Sequence, residues 1–587
     1  MIQDFMKRAA QDRPVYLCEV RDAFEREGET PFSCCVTLFD SSTRCFRLRL
    51  PRGAADGELS FIEAYVHATL YNILSALGAV RVDIYTDLTY GPVRRLAEGL
   101  NKVFQVDLPK ERRTGYGKCL NVNERVLRVL RGGRERFGFF LHDWREEPEM
   151  RLEPAVRTAG GSIFARLPEA AEKRLILGID VGGTDVKLAA AVYGKLVCKE
   201  YDWNPAAYET AETFQEPLLT LTRFMRAAAS LAAAGREEEL DWAAMDRHAS
   251  LTEIQRGAEK MEQAAGTALR DFDAVGLSFP DVVINNRITG GESPKYAGMR
   301  ENPARDYEAQ LAAITGLNEQ LGRFVRPGGP VRCANDGPIA AFTAAVEQAA
   351  GGRYLGDGFF AHTLGTDLGT GWVLADGTIP DIPLEVYNFI LDLGSFGQRR
   401  YPAADARSVC NFGTGLGGSV QRYAGQAGVF RLAAKELPER SPGIWQEAVD
   451  RGLFVWEGER LTVPTAPCDR RKECLEFLME RAAGDGACAD IFRQVGEALG
   501  ACWMETMFVL EPGSAERTLF GRLVRDVKCF RLIREGAERA APGIRLYAAD
   551  DGIACTGLMR KLVDTDWPVA QFAQAVGAVF FACMPFV

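Results

Sequence analysis

Several patterns that mark common catalytic sites are missing from this sequence. The four histidines are too scattered for a metal cluster: His67, His142, His248 and His362. No C-x-x-C pair occurs among the fifteen cysteines, and no signal peptide precedes them, so we expect reduced thiols in a cytoplasmic protein. The Walker A sequence and the G-x-S-x-G motif are absent too, which excludes a P-loop nucleotide site and a nucleophile elbow.

An excess of basic residues and an uninterrupted apolar run are also lacking. Lys and Arg total 70 against 80 Asp and Glu, and the net charge of −10 argues against non-specific nucleic-acid binding by the whole chain. The apolar tail from Val569 to Val587 is broken by Gln571, Gln574 and Pro585, so we expect a docked C-terminal helix and no membrane anchor. What remains is the composition of a large globular protein, with 47% hydrophobic and 26% charged residues.

The pattern of the chain changes near residue 173. At roughly 150 residues per domain, 587 residues suggest three or four domains. We predict an N-terminal α+β accessory domain at 1–172, a first lobe at 173–337 with a helical insertion at 205–270, and a second lobe with C-terminal helices at 338–587.

In the N-terminal domain, short apolar segments predict strands at Val15–Glu19, Ser33–Phe39 and Arg44–Leu50. A basic segment follows, in which Arg125, Arg128 and Arg131 would lie along one side of a helix. Such a stripe can contact nucleic acid, but a solvated helix face is far commoner, and nucleic acid is therefore not an expected partner.

Residues 175–187, Leu-Ile-Leu-Gly-Ile-Asp-Val-Gly-Gly-Thr-Asp-Val-Lys, hold the most informative pattern. An apolar strand leads Asp180 into a turn made by Gly182 and Gly183, and a second strand begins after Thr184. Glycines let backbone N–H groups approach a polyanion closely. A carboxylate at the strand end suits a phosphate site chiefly when Mg²⁺ lies between them. The alternative is an ordinary hairpin that binds nothing.

Further segments follow this hairpin in a fixed order. Asn335-Asp336 ends a strand and opens an Ala-rich helix, and Gly365–Gly371 leads into the apolar strand Trp372–Leu374. Gly521 follows a short apolar strand, and Asp550-Asp551-Gly552 precedes Gly557. The first hairpin resembles the phosphate loop of the actin/hexokinase/Hsp70 ATPase superfamily. The whole order resembles the ROK family of sugar kinases, with its motifs D-x-G-G-T-x-x-K, N-D, G-T-G-x-G-x-G and D-D-x-G-x-x-G.

The resemblance covers residues 174–560 and implies an α/β protein with a two-lobed ribonuclease H-like (actin-like ATPase) fold. It implies an ATP- and Mg²⁺-dependent carbohydrate kinase that phosphorylates a hydroxyl of a sugar or sugar-like molecule. The implied roles are Mg²⁺ binding through water for Asp180, phosphate binding for Gly182, Gly183, Thr184, Lys187, Gly365, Thr366 and Gly369, adenosine binding for Gly521 and Asp551, and sugar binding for Asn335, Glu385, Asn388 and Gln421.

Asp336 is the candidate catalytic base, because phosphoryl transfer to a hydroxyl needs a group that accepts its proton. The alternative is that Asn335 or Asp336 only caps the helix. Both roles are compatible, since a helix N-terminus also stabilises a charged carboxylate. We expect Asp180 and Asp336 to face each other across a cleft.

The chain also departs from the family. Asp367 replaces the central glycine of the second hairpin, Asn388 stands where the family has His, and Gln421 stands where it has a sugar-contacting Glu. Only Cys410 remains of the family's zinc loop, and a structural zinc needs four ligands, so no zinc is expected. An alternative function is therefore a non-catalytic sugar- or nucleotide-binding regulatory protein that keeps the kinase fold. The expected partner is a small sugar-like molecule, with a second copy of the chain as a further candidate.

Gly413, Gly415 and Gly418 match the G-x-G-x-x-G dinucleotide fingerprint. No apolar strand precedes them and no βαβ unit surrounds them, which favours a plain glycine-rich loop before a helix. The same loop competes with Gly365–Gly371 for the role of second phosphate hairpin. We favour the earlier segment, because a strand continues directly out of it.

Overall fold

The computed structural model describes residues 1–52, 56–133, 135–148, 163–291, 293–365, 368–549, 553–565 and 567–587. The strands are β1 (Thr30–Thr37), β2 (Thr43–Leu50), β3 (Arg81–Thr86), β4 (Phe139–Asp143), β5 (Leu175–Val181), β6 (Asp185–Val192), β7 (Lys195–Asp202), β8 (Ala274–Phe279), β9 (Val283–Ile284), β10 (Arg287–Ile288), β11 (Val331–Asn335), β12 (Phe359–Leu364), β13 (Leu368–Val373), β14 (Val455–Glu457), β15 (Arg460–Thr462), β16 (Glu516–Phe520) and β17 (Arg545–Ala548).

The α-helices are α1 (Ile2–Ala10), α2 (Leu17–Glu27), α3 (Asp56–Leu77), α4 (Gly91–Val103), α5 (Cys119–Arg131), α6 (Ile163–Glu172), α7 (Ala211–Ala233), α8 (Trp242–Met245), α9 (Leu251–Ala265), α10 (Ala297–Glu301), α11 (Tyr307–Thr315), α12 (Leu317–Leu321), α13 (Asp336–Ala350), α14 (Val420–Tyr423), α15 (Gly425–Arg440), α16 (Pro442–Asp450), α17 (Arg471–Arg481), α18 (Gly486–Leu510), α19 (Arg522–Arg525), α20 (Val527–Ala540), α21 (Gly557–Val563) and α22 (Val569–Cys583).

The chain packs as two compact units. Unit 1 contains Met1–Pro154, Ala361–Thr370 and Ile382–Ala549, and unit 2 contains Ala155–Phe360, Gly371–Asp381 and Asp550–Val587. The units do not follow the three domains predicted from the sequence, because the N-terminal residues pack with 382–549 and the C-terminal residues pack with 155–360. The three domains with boundaries at 172 and 337 stay a prediction.

Unit 2 is built on a five-stranded sheet in the order β11-β8-β5-β6-β7. Strand β6 is antiparallel to β5 and β7, whereas β8 and β11 run parallel to β5. A three-stranded meander extended on its other side by two parallel strands is the ribonuclease H-like arrangement. A second sheet, β13-β12-β16-β17, has parallel strands at β12, β16 and β17. The α/β fold class predicted from the sequence is confirmed.

Helix α22 packs on the sheet of unit 2. Strands β5 and β8 carry glycines at the contact, because a β-carbon at Gly178 or Gly276 would overlap the carbonyl oxygen of Ala575 or Ala578. The window Val569–Phe586 is long and apolar enough to cross a membrane by composition, with a mean hydropathy of 1.6. In the structure this helix supplies buried core residues to unit 2, and the expectation of a docked C-terminal helix is confirmed.

The helical insertion predicted at 205–270 forms helices α7 and α9, which pack against each other. Each helix begins with a capping box, in which the side chains of Thr210 and Thr213, or of Ser250 and Glu253, exchange hydrogen bonds with backbone N–H groups. The inner faces bury residues of the unit 2 core and leave the outer faces charged.

Strands β1 to β4 form a sheet in the order β2-β1-β3-β4 in unit 1. The prediction of a strand at Val15–Glu19 is wrong, because helix α2 begins at Leu17. Leu17, Val20 and Phe24 are buried at helical spacing, which a five-residue window is too short to distinguish from a strand.

Two further expectations for the N-terminal residues are corrected. Cys35 and Cys45 are directly opposite each other on β1 and β2 and form a disulfide, although all cysteines were expected to be reduced. Arg125 is buried on α5 and does not extend a solvated basic stripe with Arg128 and Arg131. The disulfide depends on strand pairing and the burial of Arg125 depends on tertiary packing, and a local sequence pattern predicts neither.

Candidate functional site

The polar residues of unit 2 gather at one edge of its sheet. Asp180 of β5 is in register with Ser278 of β8, which is in register with Ala334 of β11. Adjacent strands lie about 4.8 Å apart, and Asp336 follows Ala334 by two residues. Asp180 and Asp336 therefore lie at the same edge of one sheet. The expectation that they face each other across a cleft is wrong, because the carboxyl ends of parallel strands meet at one edge.

Asp180 is a buried carboxylate at the end of β5, with 7% of its surface exposed. Its Oδ1 accepts a hydrogen bond of 2.8 Å from Ser278 Oγ. Burial raises the pKa of Asp180 to about 6, while the Ser278 hydrogen bond and the Lys187 ammonium oppose the rise. The nearby carboxylates of Asp336 and Asp185 add to it. This carboxylate is therefore in electrostatic contact with the other charged groups at the sheet edge.

Asn335 and Asp336 open helix α13 and have different tasks. The Asn335 Oδ1 accepts from the Gly337 N–H at 3.0 Å, as a helix cap does, and its Nδ2 donates to the Asp281 carbonyl at 2.9 Å. The Asp336 Oδ1 accepts from the same Gly337 N–H at 2.8 Å. Burial raises the pKa of Asp336, and the Lys295 ammonium opposes that rise. Asn335 thus caps the helix while Asp336 presents a half-buried carboxylate beside Lys295.

Lys295 is a site residue that the sequence analysis missed. Burial lowers the pKa of Lys295, and four carboxylates raise it, those of Asp336, Asp180, Asp281 and Asp185. A β-carbon at Gly183 would lie 3.4 Å from Lys295 Cε, so the lysine stem runs beside the glycine hairpin. The lysine lies in a short 3₁₀ helix, Pro294–Tyr296, after β10, where the sequence analysis assigned no role. The lysine places a positive charge between the hairpin and Asp336.

The first glycine hairpin connects β5 and β6. The Gly182 N–H donates to the Asp185 carbonyl at 2.8 Å, and Trp203 donates two further hydrogen bonds to carbonyls of the turn. Its indole Nε1 donates to the Gly182 carbonyl at 3.2 Å, and its backbone N–H donates to the Thr184 carbonyl at 3.0 Å. Gly183 and Thr184 are exposed at the tip. The hairpin therefore presents its tip to solvent on a fixed base.

Lys187 lies directly opposite Asp180 in the β5–β6 pairing. Its Nζ forms an ion pair with the Asp185 carboxylate two residues away on the same face of β6. The sequence predicted that Lys187 binds phosphate, and it did not identify Asp185. The structure brings both charges to the hairpin.

The second predicted hairpin belongs to unit 1. Gly365 follows β12 and Gly369 lies in β13, whereas Thr366 and Asp367 lie outside the described residues. The Gly365 carbonyl accepts from the Gln426 N–H at 3.1 Å. Strand β13 continues out of this turn as predicted, which favours it over the loop at Gly413–Gly418 as a strand hairpin.

The predicted sugar residues are divided between the units. Asn335 is in unit 2, and Glu385, Asn388 and Gln421 are in unit 1, where Asn388 and Gln421 contact the loop at 410–418. Asn388 Oδ1 accepts from Asn411 Nδ2 at 3.1 Å, and Gln421 Oε1 accepts from the Phe412 N–H at 2.8 Å.

Asn411 fastens the same loop, because its Oδ1 accepts from the N–H groups of Gly413 and Thr414 at 2.8 and 2.9 Å. The Glu385 carboxylate raises the pKa of Tyr387 well above its usual value. Asn388 and Gln421 thus hold the glycine-rich loop in place, and their predicted contact with sugar stays a prediction.

Of the predicted adenosine residues, Asp551 lies outside the described residues. Gly521 follows β16 with a φ of +105°, and a β-carbon there would overlap the Leu364 carbonyl. This close backbone approach requires glycine on its own account. Its predicted role at adenosine stays a prediction.

Unit 1 also contains a cavity of about 390 Å³ that the sequence did not predict, lined by Phe412, Arg422, Gln426, Phe430 and Thr465 among others. The Arg422 guanidinium lies 4.6 Å from the centre of the Phe412 ring and donates to the carbonyls of Ser408 and Asp405 at 2.8 and 2.6 Å. Phe412 is 54% exposed, so one face of an arginine-backed aromatic ring is open to a ligand.

An oxygen donor for a metal is present at the hairpin, since the Asp180 carboxylate lies at the end of β5, whereas the Asp185 carboxylate is engaged by Lys187. Within the described ranges, no group of three or more His, Cys, Asp or Glu is arranged as a metal site. Mg²⁺ in phosphoryl-transfer sites commonly uses one or two carboxylates, with water and phosphate completing its coordination. The residues present therefore fit a Mg²⁺ ion held mainly through water.

No protein-family model and no curated protein matches the chain. Among solved structures, the chain is similar to a ROK family glucokinase from Streptomyces griseus, with 18% identity, 69% of this chain and 98% of that chain covered, and a TM-score of 0.35. It is similar to a ROK hexokinase from Thermus thermophilus, with 16% identity, 69% and 96% coverage, and a TM-score of 0.37.

A hexokinase from Schistosoma mansoni in complex with glucose shows 12% identity, 84% coverage of this chain and 99% of that chain, and a TM-score of 0.30. These three solved structures are at most 18% identical to this chain, and the likeness concerns the fold.

Proposed function

We propose that this protein transfers a phosphoryl group from ATP to a hydroxyl of a sugar or sugar-like molecule. The observation that carries the proposal is the arrangement in unit 2, where Asp336, Lys295 and Asp180 meet beside a glycine hairpin at the end of a ribonuclease H-like sheet. A carboxylate base, a lysine and a glycine turn at one place are the parts that this reaction requires.

The hairpin would bind phosphate through its exposed tip. Gly182 and Gly183 allow backbone N–H groups to approach the phosphate oxygens, and Lys295 neutralises negative charge from the side. Mg²⁺, when bound, neutralises phosphate charge and aligns the donor for transfer. Asp180 would hold that ion through water. These groups position the phosphates and neutralise their negative charge, and phosphoryl transfer depends mainly on these two effects.

Asp336 would act as the general base. The acceptor hydroxyl gives its proton to the Asp336 carboxylate while its oxygen forms a bond to the γ-phosphorus, and the bond to the leaving ADP breaks. Burial raises the pKa of Asp336, which makes the carboxylate a stronger base. Lys295 and the backbone N–H of Gly337 at the start of α13 oppose this rise in the pKa of Asp336.

The cavity in unit 1, taken by itself, has a lining suited to a planar aromatic ring such as adenine. Phe412 offers an open aromatic face, and Arg422 behind it keeps the ring in place. Gln426 lines the cavity and donates its N–H to Gly365 of the second hairpin, so the cavity adjoins a predicted phosphate-binding turn. Gly521 and Asp551, the residues predicted from the sequence, remain further candidates for this role.

The proposal is tested by calorimetry with Mg-ATP, followed by a panel of sugars and polyols with detection of released ADP. We expect nucleotide binding and ADP release that depends on one class of acceptor. Absence of nucleotide binding at millimolar concentration would contradict the proposal. Binding without turnover on any acceptor would instead support a binding protein that keeps the fold.

A further inference from the structure

Asp185 directly follows the turn of the first hairpin and carries a negative charge, whereas a phosphate site needs positive charge. Asp185 is the first residue of β6, and a β-carbon at Gly182 would lie 2.5 Å from its Oδ1. Its Oδ2 lies 3.4 Å from Thr184 Oγ1. The carboxylate therefore bends back over the glycine turn.

This carboxylate is on the side of the hairpin that belongs to the site. Asp185 and Lys187 are two residues apart on β6 and share one face, and Asp180 is opposite Lys187 on β5. Lys295 is electrostatically coupled to Asp185 and to Asp336 together. A phosphate at the glycine turn would thus meet the negative charge of Asp185.

The ion pair has a second consequence, since it occupies Lys187. The Lys187 ammonium is bound to the Asp185 carboxylate, and its charge is largely cancelled before a phosphate arrives. A polyphosphate that carries its full charge would be repelled by Asp185 and only weakly attracted by Lys187. A polyphosphate whose charge is reduced by a bound divalent cation escapes most of this repulsion.

We propose that Asp185 is a specificity-determining residue, which makes this site select the metal-complexed phosphoryl donor over the metal-free nucleotide. The inference rests on the proposed function and adds a discrimination step to it. The Asp185 carboxylate repels metal-free phosphate at the turn. Its ion pair with Lys187 also weakens the attraction of that lysine for metal-free phosphate.

The test measures binding of a non-hydrolysable ATP analogue to the full chain by calorimetry, once with excess Mg²⁺ and once with EDTA. Asp185→Asn should raise the affinity for the metal-free analogue by about 10- to 100-fold, and the affinity for the Mg²⁺ complex by much less. Asp271→Asn is the matched control. Asp271 is an exposed aspartate paired with Arg226, and it precedes β8 at the edge of the sheet opposite the hairpin, so the control removes the same charge away from the turn.

An Asp185→Asn variant with an unchanged preference for the Mg²⁺ complex would overturn the inference while leaving the proposed function intact. An equal gain in the Asp271→Asn control would overturn it too, because a general charge effect would then explain the result. If neither the wild type nor Asp185→Asn binds the analogue or inorganic tripolyphosphate, both proposals fail. Asp185→Ser, checked by thermal unfolding, replaces Asp185→Asn if the latter does not fold.

Discussion

Replacement of Asp180 by Asn should stabilise this protein at neutral pH. The Asn side chain keeps an oxygen that can accept the hydrogen bond from Ser278, so the change mainly removes a buried charge. The pKa of Asp180 is raised from 3.8 to about 6, chiefly by burial, which means that the folded state holds the proton more tightly than the unfolded chain. The stability that protonation contributes is therefore full below about pH 3.8 and is lost as the pH rises through about 6.

The size of the effect follows from the shift. One pKa unit corresponds to about 1.4 kcal/mol, so the ionised Asp180 destabilises the folded state by about 3 kcal/mol at pH 7. Asp180→Asn should raise the free energy of unfolding by up to that amount at pH 7, and the difference should shrink to near zero below pH 4. A carboxylate kept ionised at this cost is expected of a residue that binds a cation or a ligand.

The assay is urea unfolding of both proteins between pH 4 and 8, with EDTA present so that no metal contributes. Asp202→Asn is a control of opposite sign, because Arg247 lowers the pKa of Asp202 and its loss should not stabilise the protein at pH 7. If Asp180→Asn is less stable than the wild type at pH 7, or if the difference does not depend on pH, burial is not the dominant influence on Asp180 and the reasoning is refuted.

Three changes test the proposed chemistry. Asp336→Asn should lower turnover by about 10²- to 10⁴-fold with nearly unchanged nucleotide affinity, because only the proton acceptor is lost; steady-state kinetics with unchanged turnover would disprove its role. Lys295→Met removes the cation that holds down the pKa of Asp336, so the acidic limb of the kcat profile should move to higher pH and kcat should fall by about 10-fold or more. An unshifted limb would remove Lys295 from the site. Phe412→Ala should raise the KM for ATP by about 10-fold and leave kcat unchanged, and an unaltered KM would place adenine elsewhere.

Local patterns in the sequence predicted the hairpin and the helix start at the candidate site. Asp180, Gly182 and Gly183 lie in the expected hairpin, and Asn335 caps the helix that Asp336 opens. These features are readable because their geometry is set by residues a few positions apart, through turn conformation, capping and alternation of apolar side chains. The docking of α22 was readable for a similar reason, since polar residues interrupt its apolar run.

Only the tertiary structure decided which charges meet. Lys295 lies in a short 3₁₀ helix with no motif, and packing places it among carboxylates from three other segments of the chain, Asp180 and Asp185, Asp281, and Asp336. Asp185 stands beside a recognisable motif, yet its ion pair with Lys187 and its position over Gly182 depend on how the hairpin folds.

The same holds for other residues whose partners are far away in the sequence. Cys35 and Cys45 are joined because strand pairing sets them opposite each other. The sequence predicts that Asn388 and Gln421 bind sugar. In the fold, both side-chain amides hold the loop around Asn411. Local backbone conformation is determined by neighbouring residues. The partner of a charge, a thiol or an amide is determined by contacts between residues far apart in the chain.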